Sequence, residues 1–337
     1  MEKGLSYDDI LIKPQKTSVR SLENVNTSTE IAGLKLEVPV ISSAMDTVTE
    51  EEFAKEIARL GGLGCIHRFM PVKEQISQVR EVKKENLKVS AAIGLNDRER
   101  AEALIDAGVD ALVIDIAHGH HESLLEDVNN YSKKDATIIA GNIATAAAAE
   151  DLEDAGADAV KVGIGPGSAC TTREMTGAGV PQFTAVKNCA EAVSIPVIAD
   201  GGIRKPGDLM KALAAGASAG QIGGLFAGAK EAPGKLKEIE GEKYKVFRGM
   251  ASREAAEKRA SREGRTKTYS DRLPEGVQTK VKYKGPLKQI VSRLEGGLRS
   301  GISYCGAKDL GEAQKNAEFI EISDSTQSRN SHHAESL

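Results

Sequence analysis

Eight short apolar runs recur along the chain, beginning at Val38 (VPVISSA), Gly62 (GLGCIH), Lys88 (KVSAAIG), Ala111 (ALVIDIA), Thr137 (TIIAGNI), Ala159 (AVKVGIG), Pro196 (PVIADGG) and Ala219 (AGQIGGLF). Most starts lie about 22 to 26 residues apart, the length of one strand-plus-helix unit. Charged, Ala-rich segments such as Glu51 to Leu60, Arg98 to Ala107 and Ala147 to Ala155 fill the intervals at helical length. Three helices close on one phrase, DAGVDA at Asp106, DAGADA at Asp154 and AAGASA at Ala214, in which the Gly suits a left-handed C-cap. An open doubly wound sheet is the competing fold. Eight evenly spaced units in line favour closure, so the expectation is an α/β (β/α)8 TIM barrel in a single domain over 1–337, with a flap over about 251–274, a C-terminal extension and a loose tail over 323–337.

One interval breaks the rhythm. Between Ala159 and Pro196 lie about a dozen extra residues, all on the loop KVGIGPGSACTTREMTGAGVPQ. Loops that follow the C-terminal ends of barrel strands form the active-site face, so added length there points to chemistry. Gly165, Pro166, Gly167 and Ser168 leave backbone N–H groups free for an anion, and Cys170 follows beside Thr171, Thr172 and Arg173, donors and a charge that favour the nucleophilic thiolate. A small buried Cys in a turn is the plain alternative.

Other candidates end their own strands. Ser42 and Ser43 offer hydroxyls, Asp46 or Thr49 suits a helix cap, and for Thr49, just before three glutamates, capping is the preferred reading. His67, Asp115, His118 and Asn142 follow in the next units. The cluster His118, His120 and His121 lacks a carboxylate/histidine set at helical spacing and is not read as a metal site. Asp200, Gly201 and Gly202 end strand seven and Gly223 and Gly224 interrupt strand eight, where barrels commonly bind phosphate through backbone N–H groups. With Ser168 they outline an anion cup beside the thiol.

The remaining features bound the class. A formal charge of −4 with no basic block gives no sign of a nucleic-acid partner. Four scattered cysteines without a CxxC pair argue against a disulfide framework and a zinc site, and no apolar run reaches membrane-spanning length. A soluble protein of a reducing compartment, cytoplasmic, is expected. EIEGEKYKVF reads as a hairpin turning at Glu240-Gly241, REAAEKRASREGRTKTYSDR as a mobile charged flap without an apolar face, and EFIEI as a final strand.

GIGPGSACTTR, SSAMDTVTE, IAGNIAT, IADGGIR, GGLFAG, KEAPG, FRGMAS, LPEGV and GGLRSGISYCGA together resemble the IMP dehydrogenase/GMP reductase family from Gly4 to about Ile322. The resemblance implies a usually tetrameric barrel that binds the nucleotides IMP, XMP or GMP and NAD or NADP. It implies a covalent bond from Cys170 to purine C2, with Thr172 and Glu275 moving protons. The 5′-phosphate would rest on Ser168, Gly202, Gly223 and Gly224, with Ser43 and Gly201 beside it, and Asp200 would hold the ribose. Met250, Ala251 and Glu275 would meet the base edge. Asp115, His118, Asn142, Gly163 and Gly165 would line the cofactor, and carbonyls of Gly165, Gly167 and Cys170 would bind a monovalent cation, usually K+.

This chain departs from the family pattern in four places. The CBS pair usual in the dehydrogenases is absent, only Met70 to Leu87 separating strands two and three. No Arg-Tyr dipeptide, the water-activating pair of the dehydrogenases, occurs in the flap, although Arg262, Arg265 and Tyr269 are available. Gly224 and Phe247 stand where dehydrogenases usually have a phosphate-binding Ser and Tyr. Shared motifs favour IMP oxidation, and these departures favour GMP reduction. A non-catalytic nucleotide-binding paralogue is the third reading.

Overall fold

The computed structural model describes residues 2–262, 274–323 and 326. Each of the eight apolar runs forms a strand: β1 (Val40–Ser42), β2 (Leu63–Ile66), β3 (Val89–Ile93), β4 (Ala111–Asp115), β5 (Thr137–Ile143), β6 (Ala159–Val162), β7 (Val197–Asp200) and β8 (Ala219–Ile222). All pair in parallel with their sequence neighbours, and β8 pairs with β1 to close the barrel. Helices α1 (Glu51–Arg59), α2 (Val72–Lys83), α3 (Arg98–Asp106), α4 (Glu122–Tyr131), α5 (Ala146–Asp154), α6 (Gln182–Ala192) and α7 (Pro206–Ala214) fill the crossovers. The eighth position is taken late in the chain by α8 (Leu287–Tyr304), which packs on α7 and α1.

The helix ends behave as their phrase predicts. Gly108, Gly156 and Gly216 have φ of 84°, 95° and 109°, and the following residue donates back across the turn in each case, Val109 to Leu104, Ala157 to Leu152 and Ala217 to Ala212. This left-handed exit occupies carbonyls that the helix would otherwise leave unpaired.

Side-chain alternation along the strands divides the core in two. Ile41, Leu63, Cys65, Val113, Ile139, Ala159 and Ile198 point inward and pack on a hairpin (Thr29–Ile31 with Leu34–Leu36). Outward residues such as Val160, Val162 and Val197 pack with the helices in a separate, larger cluster. Because the period is two, Asp115, Lys161, Asp200 and Gln221 extend the inward rows at the C-terminal ends of their strands. An antiparallel pair of Ile10–Ile12 with Phe319–Glu321 joins the two ends of the described chain.

The Glu240-Gly241 turn has φ of 54° and 79° and joins Leu236–Ile239 to Glu242–Arg248. A third strand, Gln278–Lys282, completes this sheet. Within the expected mobile flap, Arg253–Arg262 is instead a helix. Ser252 Oγ accepts the Ala255 N–H, Ala255 is fully buried, and Lys258 pairs with Asp46 at 2.9 Å. The buried Ala255, too small to register in a search for large apolar residues, seats the helix together with these contacts. Residues 263–273, which include Arg265 and Tyr269, lie outside the described residues, as does the side chain of Arg262.

Candidate active site

A cavity of about 1550 Å³ opens at the C-terminal ends of the strands, and its wall includes Ser43, Asp115, Asn142, Gly163, Gly165, Gly167, Ser168, Cys170, Thr172, Asp200, Gly201, Gly202, Gly223, Gly224, Met250, Ala251 and Glu275. The volume exceeds the range of roughly 300–1,000 Å³ usual for a single small ligand. His118 is exposed and is not part of this wall, because the Gly119 N–H is tied to the Asn142 carbonyl at 2.6 Å and the loop turns outward. His120 pairs with Asp151 at 2.7 Å and the His121 ring caps α4, so the histidine cluster is spent on surface structure. No group of metal-ligating side chains occurs among the described residues.

The thiol sits at the meeting point of three backbone segments. Cys170 forms an antiparallel bridge with Gly276, the Val277 N–H donates to Ala169 O at 3.0 Å, and the Gly249 N–H donates to Val277 O at 3.0 Å. A Cβ on Gly249 would lie 2.7 Å from Ala169 O, so only glycine permits this approach. The mesh also brings the Glu275 carbonyl to the Thr171 N–H at 3.0 Å, which seats Glu275 beside the cysteine loop. Cys170 is half-buried, with Thr172 Oγ1 3.1 Å from its sulfur, whereas Cys65, Cys189 and Cys305 are fully buried.

Arg173 does not serve the thiol as expected from its place in the sequence. Its guanidinium donates to Ile164 O at 3.2 Å and Val180 O at 2.6 Å, clamping the two ends of the extra-long loop. Gly165 and Gly179 leave the room for it, since a Cβ on either would press on the Arg173 side chain. The Gly167 carbonyl accepts the Cys170 N–H at 3.0 Å and so helps to close the turn.

The glycines expected to form an anion cup lie together with Ser168 on the cavity wall. Gly201 and Gly202 have φ of 96° and 78°, and a Cβ on Gly201 would strike Pro166 at 2.7 Å. A Cβ on Gly224 would lie 2.9 Å from Ser168 Oγ and 3.6 Å from the Phe247 ring, which puts these three residues side by side. Thr49 does not cap α1. Its hydroxyl donates to Ser43 O and lies 2.8 Å from Ser42 Oγ, holding the first loop from beneath. Asp46 is likewise no cap: buried, it pairs with Arg248 and Lys258, each at 2.9 Å. His67 is buried and held by Glu50 and the Phe69 N–H, not turned to the cavity.

Sequence reasoning missed Lys161, although a lone Lys inside the apolar run AVKVGIG was its signal. The side chain is fully buried, and its ammonium donates to Asp115 Oδ1 at 2.7 Å, Asp200 Oδ2 at 2.8 Å and Asn142 Oδ1. Burial pulls the ammonium pKa down, but the two carboxylates outweigh it and hold it above the ordinary lysine value. Burial also pushes Asp115 up, and the adjacent ammonium outweighs this, leaving the carboxyl below its usual range. Also missed was Phe69 on the cavity wall, flanked by the guanidiniums of Arg68 and Arg259 at 5.3 and 5.2 Å from its centroid.

The large cavity brings together a half-buried thiol, a row of glycines and paired carboxylates. Comparison with known proteins places the chain in a family. The family model described as IMP dehydrogenase / GMP reductase domain covers residues 4–333. Inosine-5′-monophosphate dehydrogenase from Cryptosporidium parvum is 40% identical, over 96% of this chain and 93% of the relative. The enzyme of that name from Methanocaldococcus jannaschii is 36% identical over 97% and 94%, in an alignment of 467 positions that is longer than the present chain. GMP reductase from Leishmania donovani is 34% identical over 96% and 95%. A crystal structure of GMP reductase from Trypanosoma brucei, a Cys-to-Ala variant in complex with guanosine 5′-monophosphate, superimposes with a TM-score of 0.94 at 32% identity, covering 100% of this chain and 99% of that one. In fold and in sequence over nearly its whole length, the chain belongs to the IMP dehydrogenase / GMP reductase family of oxidoreductases.

Proposed function

We propose that the protein acts at C2 of a purine nucleoside 5′-monophosphate through Cys170, favouring oxidation of IMP to XMP. The observation that carries this reading is the meeting of Cys170, Thr172 and Glu275 on one wall with Ser168, Gly202, Gly223 and Gly224. A 5′-phosphate in the cup would present the base to the thiol. The Cys170 thiolate adds to C2, a hydride leaves C2, and water then cleaves the C2–S bond, releasing XMP and restoring the thiol.

A nicotinamide dinucleotide, when bound, accepts the hydride. The residues present suit it: Asp115 and Asn142 line the cavity, and Asp115 Oδ2 has no partner among the described residues, leaving an acceptor for a ribose hydroxyl. Asp200 Oδ1 is open in the same way for the nucleotide's ribose. The Thr172 hydroxyl lies 3.1 Å from the sulfur, within hydrogen-bond reach of the atom that attacks C2.

GMP reduction is the second reading, favoured by the lack of an Arg-Tyr dipeptide among residues 253–272. There the thiolate adds to C2 of GMP, ammonia departs after protonation through Thr172 and Glu275, and a hydride from NADPH replaces the sulfur to give IMP. Mixing the protein with IMP and NAD, or with GMP and NADPH, and following reduced-cofactor absorbance separates the two. An increase with the first pair supports the favoured direction, a decrease with the second supports the alternative, and no change in either overturns both. A monovalent cation on the carbonyls of Gly165, Gly167 and Cys170 would brace the cysteine loop; faster turnover in potassium than in sodium would support it.

A further inference from the structure

We infer that Lys161 is a positioning residue that couples the two arms of the cavity, its single buried ammonium fixing Asp200 for the nucleotide and Asp115 with Asn142 for the dinucleotide. This rests on the functional reading above. Strand register produces the arrangement. Asp115 pairs with Gly141 and Gly141 with Lys161, so two inward side chains flank a residue that has none. A Cβ on Gly141 would lie 2.8 Å from Lys161 Cβ and 2.4 Å from Lys161 O, and glycine therefore keeps the path between Lys161 and Asp115 open.

Each carboxylate gives one oxygen to the ammonium and keeps the other. Asp115 Oδ1 and Asp200 Oδ2 accept from Lys161, and Asp200 Oδ2 also accepts from Asn142 Nδ2 at 3.0 Å and Gln221 Nε2 at 3.4 Å. Asn142 Nδ2 also donates to Gly163 O at 2.7 Å, linking the cluster to the start of the cysteine loop. A carboxylate pinned through one oxygen presents the other in a fixed direction, and small misplacements at such positions are costly in rate. Because both carboxylates draw on one ammonium, a hydroxyl that pulls on either changes what the ammonium offers the other.

Removing the charge has a sign that mere loss of packing lacks. The groups facing the pair are Arg68, whose guanidinium donates to Asp115 O and attracts its carboxylate, Gln221 on β8, the Cys65 thiol on β2 and the Tyr7 hydroxyl near Asp200. Without Lys161, Asp115 loses the ammonium that holds its carboxyl below the usual range and keeps only the charge of Arg68. Burial then favours the protonated carboxyl, and dinucleotide binding fails at a higher pH than in the parent.

The test uses the full chain and measures steady-state kinetics across pH with whichever substrate pair the wild type turns over. Lys161→Met should lower kcat/KM by about a hundredfold for both nucleotide and dinucleotide, with the acid limb of the profile moved upward, and Lys161→Arg should restore much of the rate and the original limb. Unchanged kinetics in Lys161→Met, or a loss that leaves the limb in place, overturns the proposal. Should Lys161→Met not fold, Asp115→Asn decides, because Lys161 keeps Asp200. Calorimetric titration with IMP or GMP alone should show affinity weakened about five- to tenfold, as the ammonium turns to Asp200, and equal affinity overturns the coupling. Failure of the wild type to bind either nucleotide would overturn the functional reading itself, whereas normal wild-type binding with unaffected variants would overturn only the role of Lys161.

Discussion

The Thr172 hydroxyl lies 3.1 Å from the Cys170 sulfur, and Thr172 begins the short helix Thr172–Thr176 that follows the cysteine at once. This neighbour and the half-exposed position set Cys170 apart from the other three thiols, which have no solvent contact. Replacing the sulfur tests its role without touching the cup. Cys170→Ala is expected to abolish turnover with either substrate pair while IMP or GMP affinity, measured by calorimetry, changes less than about threefold, since the phosphate partners remain. Turnover at the wild-type rate would exclude the covalent route.

The same contrast predicts thiol reactivity and alkaline stability. Burial pushes Cys65 and Cys189 each up to about 12, from an ordinary value of 9.0, and raises Cys305 as well. At pH 8 an aromatic disulfide reagent should label one thiol per native chain and four in denaturant, and the native reaction should vanish in Cys170→Ala. For a raised folded-state pKa, the stability contribution is complete below the unfolded value and is lost as pH climbs toward the folded one. Urea midpoints should therefore decline between pH 9 and 12, and Cys189→Ala should show a shallower decline. Rapid labelling of more than one native thiol would contradict the burial pattern.

The barrel was legible because its physics is local. Apolar runs at one spacing, and glycines with φ of 84° to 109° after three helices, are written in consecutive residues. That Cys170, Asp200, Gly201, Gly202, Gly223 and Gly224 share one cavity wall was legible because they lie at or beyond the C-terminal ends of strands, where a barrel gathers its loops. What stayed hidden depends on partners distant in sequence. Lys161 reads as an interruption of a strand until Asp115 and Asp200 are placed beside it, and Asp46 reads as a cap until Arg248 arrives from about 200 residues away. Arg173 misled because adjacency in sequence is not adjacency in space: its long side chain reaches back to Ile164 and Val180 instead of to the neighbouring sulfur.

Phe247 gives a gain-of-affinity test. Its ring tip approaches Gly224, with Cε1 and Cζ 3.6 and 3.8 Å from the position of a Cβ there, and Ser168 Oγ is 2.9 Å from the same position. A hydroxyl on that tip would enter the cup, and hydrogen bonds to charged groups contribute about 1.5–3 kcal/mol. Phe247→Tyr should tighten IMP or GMP binding about tenfold and leave affinity for the phosphate-free nucleoside unchanged. Equal effects on nucleotide and nucleoside would place the phosphate elsewhere.

Asp46 holds the helix Arg253–Arg262 to the barrel. Its carboxylate is 1% exposed and pairs with Arg248, 13% exposed, and with Lys258, 38% exposed, while its N–H donates to Met250 Sδ at 3.4 Å. Breaking a buried ion pair from one side costs about 3–5 kcal/mol, because the remaining charge loses its partner; the exposure of Lys258 discounts its share, so Asp46→Asn should cost about 2–3 kcal/mol in urea unfolding. Local consequences should exceed the global one. Trypsin should cleave at Arg253, Lys258 or Arg259 at least about tenfold faster in Asp46→Asn than in the parent, under conditions where the barrel stays folded. Rates of cleavage that match would mean that Ser252 and the buried Ala255 hold this helix without help from the carboxylate.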